Sequence, residues 1–213
     1  MPRTADHDAR RRQLADAVVS LVDGHGLDAV TIAGVAQQAG ISVGLVQHYF
    51  PSKDDLLLHA YREVIRAGRA RIDRRIAEGE RHRRPIRDIL FDAVTEMLPL
   101  DRARRTEYRV SRSFLGRALD NPSLSAVATE HAAAVRAEVS SAIDNGKECG
   151  EVAPAVGSGR AGLRLLATLD GLAARLYHEP RARVDSTTMR EAVLATTREA
   201  IAEVFTGECH HHR

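Results

Sequence analysis

The side chains best suited to binding chemistry lie in residues 31–50, on what reads as two short helices joined by a tight turn. Thr31 and Ser42 each precede a helix-favouring run, where a hydroxyl can cap the first backbone N–H groups. Gly40 supplies the positive φ that a short turn between helices often needs. Val46 is expected to pack inward, which leaves small and polar side chains facing outward on the second helix. An exposed two-turn helix of this kind suits the major groove of DNA.

Other reactive side chains do not form a catalytic or metal-binding pattern. The sequence has no glycine-rich phosphate loop, no His-Glu-x-x-His and no Gly-x-Ser-x-Gly, so we expect neither an enzyme nor a cofactor. Cys149 and Cys209 lack companion ligands at zinc spacing, and His210 to His212 are typical of a disordered tail, so no metal site is predicted. Residues 61–87 hold ten arginines but also four acids, which favours a solvated helix face over a nucleic-acid stripe.

Composition indicates that helices position these side chains. Ala, Leu, Arg and Glu dominate, prolines number seven, and 44% of residues are hydrophobic against 28% charged. A first helix is predicted from about Asp8 to His25, the next three follow caps at Thr31, Ser42 and Ser52, and the last follows Ser186 or Thr187. The prediction is an all-α fold of about nine helices. A three-helix helix-turn-helix DNA-binding domain occupies 1–52, a helical-bundle ligand-binding and dimerisation domain 53–207, and a disordered tail 208–213.

The hydropathy of the sequence indicates where in the cell the protein is located, and its charge indicates how it could bind DNA. No apolar run approaches the roughly 18 residues that span a bilayer, the N-terminus is polar, and there are only two cysteines, so we expect a cytoplasmic protein without membrane contact. Residues 1–60 hold five Lys and Arg against seven Asp. DNA binding must therefore depend on local geometry rather than on bulk charge.

A family resemblance is carried by residues 31–56, which read TIAGVAQQAGISVGLVQHYFPSKDDL. This string resembles the DNA-binding signature of the TetR family of transcriptional regulators, and its segment GLVQHYF (44–50) is most similar to the BetI-like branch. The segment LDGL at 169–172, followed by His178-Glu179-Pro180, also resembles the end of the eighth helix in that branch.

The resemblance implies roles for individual residues. It implies that Thr31 and Ser42 cap helices and contact phosphate, and that Gly44 lets the helix approach the DNA backbone closely. Further phosphate contacts are implied for His48, Tyr49 and Lys53. Val43 and Gln47 face the groove, where Val43 can meet a thymine methyl and Gln47 can pair with adenine. Many members carry an aromatic residue in place of Gln47, so its role as base reader or phosphate contact stays open.

The second domain is expected to house an inducer pocket and a dimer interface. The residues expected to line the pocket, each of which also suits a core, are Phe91, Met97, Tyr108, Phe114, His131 and Tyr177. Apolar faces on the last two helices predict a four-helix interface between two chains, formed by Leu165, Leu169, Leu172, Leu176, Met189, Val193, Ala200 and Val204.

The sequence thus predicts a sequence-specific DNA-binding transcriptional regulator. It would be a ligand-responsive repressor that acts as a homodimer on a near-palindromic double-stranded operator and responds to a small-molecule effector. The alternative is a helical small-molecule-binding or scaffold protein with a vestigial helix-turn-helix, which the weak basic character of residues 1–60 keeps open.

Overall fold

The computed structural model of the chain describes residues 2–210, with side chains from residue 7 onward. Residues 211–213, which include two of the three histidines of the predicted tail, lie outside the described residues. Within 2–210 the chain forms nine α-helices, a short 3-10 turn at Leu27–Ala29 and a two-stranded hairpin. The helices are α1 (Pro2–His25), α2 (Ile32–Ala39), α3 (Val43–Tyr49), α4 (Lys53–Arg81), α5 (Ile86–Thr95), α6 (Arg102–Ala118), α7 (Pro122–Cys149), α8 (Ser158–His178) and α9 (Met189–Ala202).

The backbone divides into two compact units, each formed by two stretches of chain. The first unit comprises residues up to 67 together with 106–129, and the second comprises 68–105 and 130 onward. Helices α4, α6 and α7 each contribute residues to both units. The domain boundary predicted after residue 52 stays a prediction, and the first unit draws on α6 and α7 as well as on the N-terminal helices.

The first unit is built around a single apolar core. Leu14, Val18 and Val22 recur at the helical spacing of four on α1 and are fully buried. They pack in one cluster with Phe50, at the end of α3, and with Phe114 of α6. The core includes residues from both ends of the α2–α3 segment. Packing against this core therefore fixes the position of the segment at both ends.

The second unit pairs α8 with α9. Every fourth residue along α9 is buried, namely Met189, Val193, Thr197 and Ile201. The buried face of α8 recurs at spacings of three and four residues, with Leu165, Leu169, Ala173 and Leu176. α9 also packs against α5, so it lies between two other helices of this unit.

A short hairpin precedes α9. Its strands are Arg183–Val184 and Thr187–Thr188, paired antiparallel. Asp185 and Ser186 both have positive φ, at 45° and 68°, as a two-residue type I′ turn requires. The predicted cap at Ser186 or Thr187 was wrong, because these residues belong to the hairpin. Thr188 caps α9 instead, in a reciprocal capping box with Glu191.

None of the helices in the described part of the chain combines the length and the apolar character needed to cross a membrane.

Candidate nucleic-acid interface

Short-range hydrogen bonds fix both ends of α2. Thr31 Oγ1 accepts the backbone N–H of Gly34 at 2.9 Å, so the predicted cap is confirmed. Gly40 ends the helix with φ +67° and ψ 34°. The N–H groups of Gly40 and Ile41 donate to α2 carbonyls at 3.2 and 3.0 Å, which is the Schellman arrangement. The left-handed conformation at this position is the reason for a glycine there.

Helix α3 presents its outer side to solvent. Ser42 Oγ accepts the N–H of Leu45 at 3.2 Å, which confirms the second predicted cap. Val46 is fully buried and anchors the helix, whereas Val43 is 43% exposed although it is apolar. A Cβ placed on Gly44 would meet no atom within 4 Å. The exposed residues, which we call the α3 surface, are Ser42, Val43, Gly44, Gln47 and His48.

Residues of α1 hold the α2–α3 turn in position. Gln13 Nε2 donates to the carbonyl of Ala39 at 2.7 Å, close to the turn, and Arg10 in turn donates to Gln13 Oε1 at 2.6 Å. The Arg11 guanidinium lies 4.5 Å from the centre of the Phe50 ring, a cation–π distance. Sequence reasoning missed the role of Gln13. The sequence did offer a signal for this role, because Gln13 is a polar residue next to the apolar positions of α1.

The aromatic ending of α3 forms a small cluster. The half-buried Tyr49 ring lies 4.7 Å from the His7 ring and 5.5 Å from the His48 ring, measured between centroids. Lys53, the first residue of α4, follows the cap Ser52 and is half-buried. His48 and Tyr49 end α3 and Lys53 begins α4, and the contact of these three residues with phosphate stays a prediction.

Arginines of helix α6 form ion pairs with acidic residues of the N-terminal segment. An Arg109 side-chain nitrogen lies 3.9 Å from an Asp23 carboxylate oxygen, and Arg117 lies 3.8 Å from Asp54. The first unit, taken over residues 1–67 and 106–129, carries ten Lys and Arg against ten Asp and Glu. The acid excess of residues 1–60 is therefore balanced inside the unit, and the unit is neutral rather than basic.

His59 is a half-buried titratable group that contacts a core residue. Its ring lies 5.1 Å from that of Phe50. Burial, assisted by the charge of Arg11, lowers the pKa of His59 below its ordinary value, and Glu63 opposes this shift. The folded state therefore favours the neutral imidazole.

The residues predicted to line an inducer pocket are divided between the two units. Tyr108 and Phe114 belong to the first. Phe114 is fully buried and stacks on Tyr61 with ring centroids 4.9 Å apart, which makes it part of the core that supports α3. Arg112 lies over the Tyr108 ring, 5.1 Å from its centre.

The other four predicted pocket residues, Phe91, Met97, His131 and Tyr177, belong to the second unit and are all half-buried. The Arg198 guanidinium lies 4.0 Å from the centre of the Phe91 ring, and that of Arg105 lies 4.8 Å from the centre of the Tyr177 ring. Burial lowers the pKa of His131. Ligand binding by these residues stays a prediction.

The predicted dimer residues are mostly covered within the single chain. Six of the eight are buried, namely Leu165, Leu169, Leu176, Met189, Val193 and Val204. Leu172 and Ala200 are partly exposed. The six buried side chains hold α8 and α9 in their own unit and offer little surface to a second chain. A groove of about 160 Å³ lies between α8 and α9, lined by Leu165, Thr168, Thr196 and Ala200 with the charged Arg164, Glu199 and Glu203.

Comparison with known proteins agrees with this arrangement at both ends of the chain. Residues 14–60 match the family model described as bacterial regulatory proteins of the tetR family. Residues 86–204, more than half of the chain, match the model described as BetI-type transcriptional repressor, C-terminal.

Individual relatives extend the likeness. The HTH-type transcriptional regulator BetI of Paraburkholderia phymatum is 42% identical over 91 residues, which is 42% of this chain and 46% of that protein. The chain thus matches less than half the length of this curated relative. The crystal structure of a transcriptional regulator from Rhodococcus sp. Rha1 is 29% identical with a TM-score of 0.75, covering 92% of this chain and 96% of that one.

A regulator from Saccharomonospora viridis, solved in complex with choline, shares the fold at 22% identity with a TM-score of 0.74, covering 92% of this chain and 95% of that one. The exposed helix behind a capped turn, the two matching family models and the shared fold agree. The chain therefore belongs to the TetR family of bacterial regulatory proteins, with a C-terminal domain of the BetI type.

Proposed function

We propose that this chain is a sequence-specific DNA-binding transcriptional repressor that reads its operator with the α3 surface. The observation that carries the proposal is the exposure of that surface. Val43 is an exposed apolar residue, and Gly44 has open space where a side chain would be. An exposed apolar side chain can contact a thymine methyl group in the major groove, and an open stretch of helix backbone can approach the groove closely. The intact caps and turn argue against a vestigial helix-turn-helix.

The cap hydroxyls are positioned to hold phosphate as well. In Thr31 and Ser42 the side-chain oxygen accepts a backbone N–H of its own helix, which leaves the O–H as a donor. A donor at a helix N-terminus, together with the neighbouring backbone N–H groups, suits a phosphate oxygen. We assign these two residues, with His48, Tyr49 and Lys53, to backbone contacts, and Val43 and Gln47 to base contacts.

Selection of bound genomic fragments by the purified protein tests DNA binding, and the selected sequence supplies the operator for quantitative assays. On that operator Gln47→Ala should cost about 1–3 kcal/mol, with little loss on random DNA. Gln38→Ala, at an exposed glutamine of α2, is the matched control and should change neither. Equal losses for Gln47→Ala on both DNAs would assign this side chain to a phosphate. Failure to enrich any fragment would contradict the proposal.

We further propose that two chains form a homodimer through the outer surface of α8 and α9. This surface comprises the groove residues Thr168, Thr196 and Ala200 together with Leu172, which lies about one turn beyond Thr168 on α8. Support comes from the partial exposure of Leu172 and Ala200 beside helices that are already rigidly packed. Ala200→Arg should shift the mass measured by light scattering towards the monomer. Ala77→Arg, at an exposed alanine of α4, should leave it unchanged. A monomeric wild-type protein at micromolar concentration would refute the dimer.

A small-molecule effector is proposed to bind the second unit. Helix α4 passes from the first unit into the second without a break, so a ligand that displaces its residues 68–81 has a continuous element through which to act. Such control requires the ligand to prefer one of two conformations. Anisotropy of labelled operator during ligand titration measures it.

Choline is the first probe, because the related structure from Saccharomonospora viridis holds it. The second unit has three Phe, Tyr or Trp side chains, and two of them, Phe91 and Tyr177, already carry a guanidinium over one ring face. The third, Phe205, is buried. A quaternary ammonium binds best to open aromatic faces, so we propose an effector other than choline.

A further inference from the structure

The second unit contains a cluster of sulfur and carboxylate groups. Cys149 ends α7, Glu151 follows it by two residues, and Cys209 lies near the C-terminus. One ligand atom from each of the three side chains lies within 4.8 Å of the other two. Cys149 and Glu151 are buried and Cys209 is half-buried. The sequence does not predict this cluster, because the two cysteines are 60 positions apart.

Glu151 is held firmly although it is completely buried. Its two carboxylate oxygens accept the backbone N–H groups of Ile86, at 2.7 Å, and Arg87, at 2.9 Å. These are the first residues of α5, whose cap residue Pro85 makes no side-chain cap bond. A carboxylate at a helix N-terminus is favoured by the helix dipole. Each oxygen retains acceptor capacity, and Oε1 lies 3.3 Å from Cys149 Sγ.

The C-terminal segment is closely fitted to this place. The N–H of Gly207 donates to the carbonyl of Glu151 at 2.9 Å. A Cβ on Gly207 would clash with the carbonyl oxygen of Gly150, so only glycine fits. Gly150 itself has φ +89°, and the His210 ring packs where its side chain would be. Cys209 is therefore brought to Cys149 by specific packing of the backbone on both sides.

The donor set indicates a metal rather than a reactive thiol. Cys149 is buried beside a carboxylate that is fixed by two backbone N–H groups, whereas redox-sensing cysteines are solvent-accessible. Two thiolates with one carboxylate or imidazole suit Zn²⁺, which prefers four such ligands in a tetrahedron. With Zn–S bonds near 2.3 Å and Zn–O bonds near 2.1 Å, ligand atoms lie roughly 3.5–3.8 Å apart. The Cys149 Sγ to Glu151 Oε1 distance of 3.3 Å is slightly shorter than these values, and the separations within the cluster are at most 4.8 Å, so the ligand atoms must shift by about 1 Å or less to hold the ion.

We propose that Cys149, Glu151 and Cys209 bind one Zn²⁺ ion that fastens the C-terminal residues to the end of α7 and, through Glu151, to the start of α5. The fourth position is filled by water or by the imidazole of His210, which lies beside the cluster. Zn²⁺ displaces the thiol protons on binding. The role is structural, because the ligands lie in one packed region and α3 belongs to the other unit.

The test uses the full chain, reduced and stripped of metal with a chelator. Titration with Co²⁺ as a spectroscopic substitute should give sulfur-to-metal charge-transfer absorption that saturates at one equivalent per chain, and Zn²⁺ should then remove it. Zn²⁺ should protect both cysteines from alkylation and raise the unfolding temperature. Cys209→Ser, at the half-buried ligand, should lose all three effects while keeping the helical circular dichroism spectrum.

The terminal histidines require a separate control, because a run of three binds metals without a built site. Replacing His210, His211 and His212 together by alanine should leave the charge-transfer band in place. Metal binding that survives Cys209→Ser and disappears with the histidines would overturn the proposal. So would two cysteines that are alkylated equally fast with and without Zn²⁺, or a Cys149–Cys209 disulfide that persists in protein prepared under reducing conditions.

Discussion

Gly44 offers the sharpest test of the α3 surface, because stability and DNA binding should respond to one substitution with opposite signs. Gly44 is the second residue of α3, and a Cβ placed on it would meet no atom within 4 Å. In a helix interior, glycine is less stable than alanine by roughly 0.5–1 kcal/mol, because glycine loses more conformational freedom on folding, and this value is the upper bound for the first turn. Gly44→Ala should therefore stabilise the free protein by up to about 1 kcal/mol.

The same methyl group should weaken operator binding. If the α3 backbone packs against the DNA, a Cβ at residue 44 must displace one of the two surfaces, and overpacking of this kind costs about 1–3 kcal/mol. Each 1.4 kcal/mol corresponds to about a tenfold loss of affinity, so each recognition helix should lose roughly five- to 150-fold. Fluorescence anisotropy on the selected operator measures the loss, and denaturant unfolding measures the gain in stability.

Gly116 provides the matched control. It lies in α6 within the first unit, it is exposed, and a Cβ there also meets no atom within 4 Å. Gly116→Ala should stabilise the protein by a similar amount and leave operator affinity unchanged. If Gly44→Ala is more stable and binds operator as tightly as wild type, the backbone of α3 does not approach DNA there, and the reasoning fails.

Four further outcomes are expected. Gly40→Ala should destabilise the first unit by about 1–2 kcal/mol in denaturant unfolding, because its φ of +67° is strained for alanine; an unchanged midpoint would contradict the left-handed turn. Lys53→Ala should lower the slope of log affinity against log salt by about one per chain, and an unchanged slope would remove Lys53 from the phosphate contacts. Because the pKa of His59 is lowered in the folded state, the unfolded chain binds more protons than the folded chain below about pH 6.5. Stability should therefore decrease as the pH is lowered from about 6.5 to the folded pKa, and should then become constant. His59→Gln should flatten this part of the profile, and an equal slope in both proteins would exclude His59 as its source. Choline should leave operator affinity unchanged, and release of operator at low choline concentration would refute the argument from the covered rings.

Local signals in the sequence predicted the caps and turns around α3. Thr31, Gly40 and Ser42 each act on backbone groups within a few residues, so residue type and position were sufficient to identify them. The cap of α9 was assigned wrongly because three hydroxyl residues stand in succession. Only the hairpin geometry, with Ser186 in its turn, leaves Thr188 at the helix start.

Features that depend on distant parts of the chain were beyond sequence reasoning. The apolar stripes of α8 and α9 were predicted as surfaces for a second chain, yet an apolar stripe does not specify what covers it, and Leu165 and Val193 are covered by their own chain. The sequence left Phe114 open as a pocket or a core residue, because aromatic side chains suit both, and only the structure shows that it is buried and stacked on Tyr61. Cys149 and Cys209 gave no metal signal because their proximity arises only from the docking of the C-terminal segment.

The neutrality of the first unit has a consequence for how such a protein would find its operator. Arg109 and Arg117 of α6 pair with Asp23 and Asp54, so the charges of these two cations are offset by acids within the unit. Sequence-independent affinity for DNA comes almost entirely from cationic contacts with phosphate. A neutral reading unit should therefore bind random DNA weakly, and its discrimination must come from the shape and hydrogen-bonding groups of the α3 surface. In the sequence alone, the acids of residues 1–60 kept open a protein that does not bind DNA. In the folded unit the same acids favour specificity, because they weaken binding to the random DNA that competes with the operator.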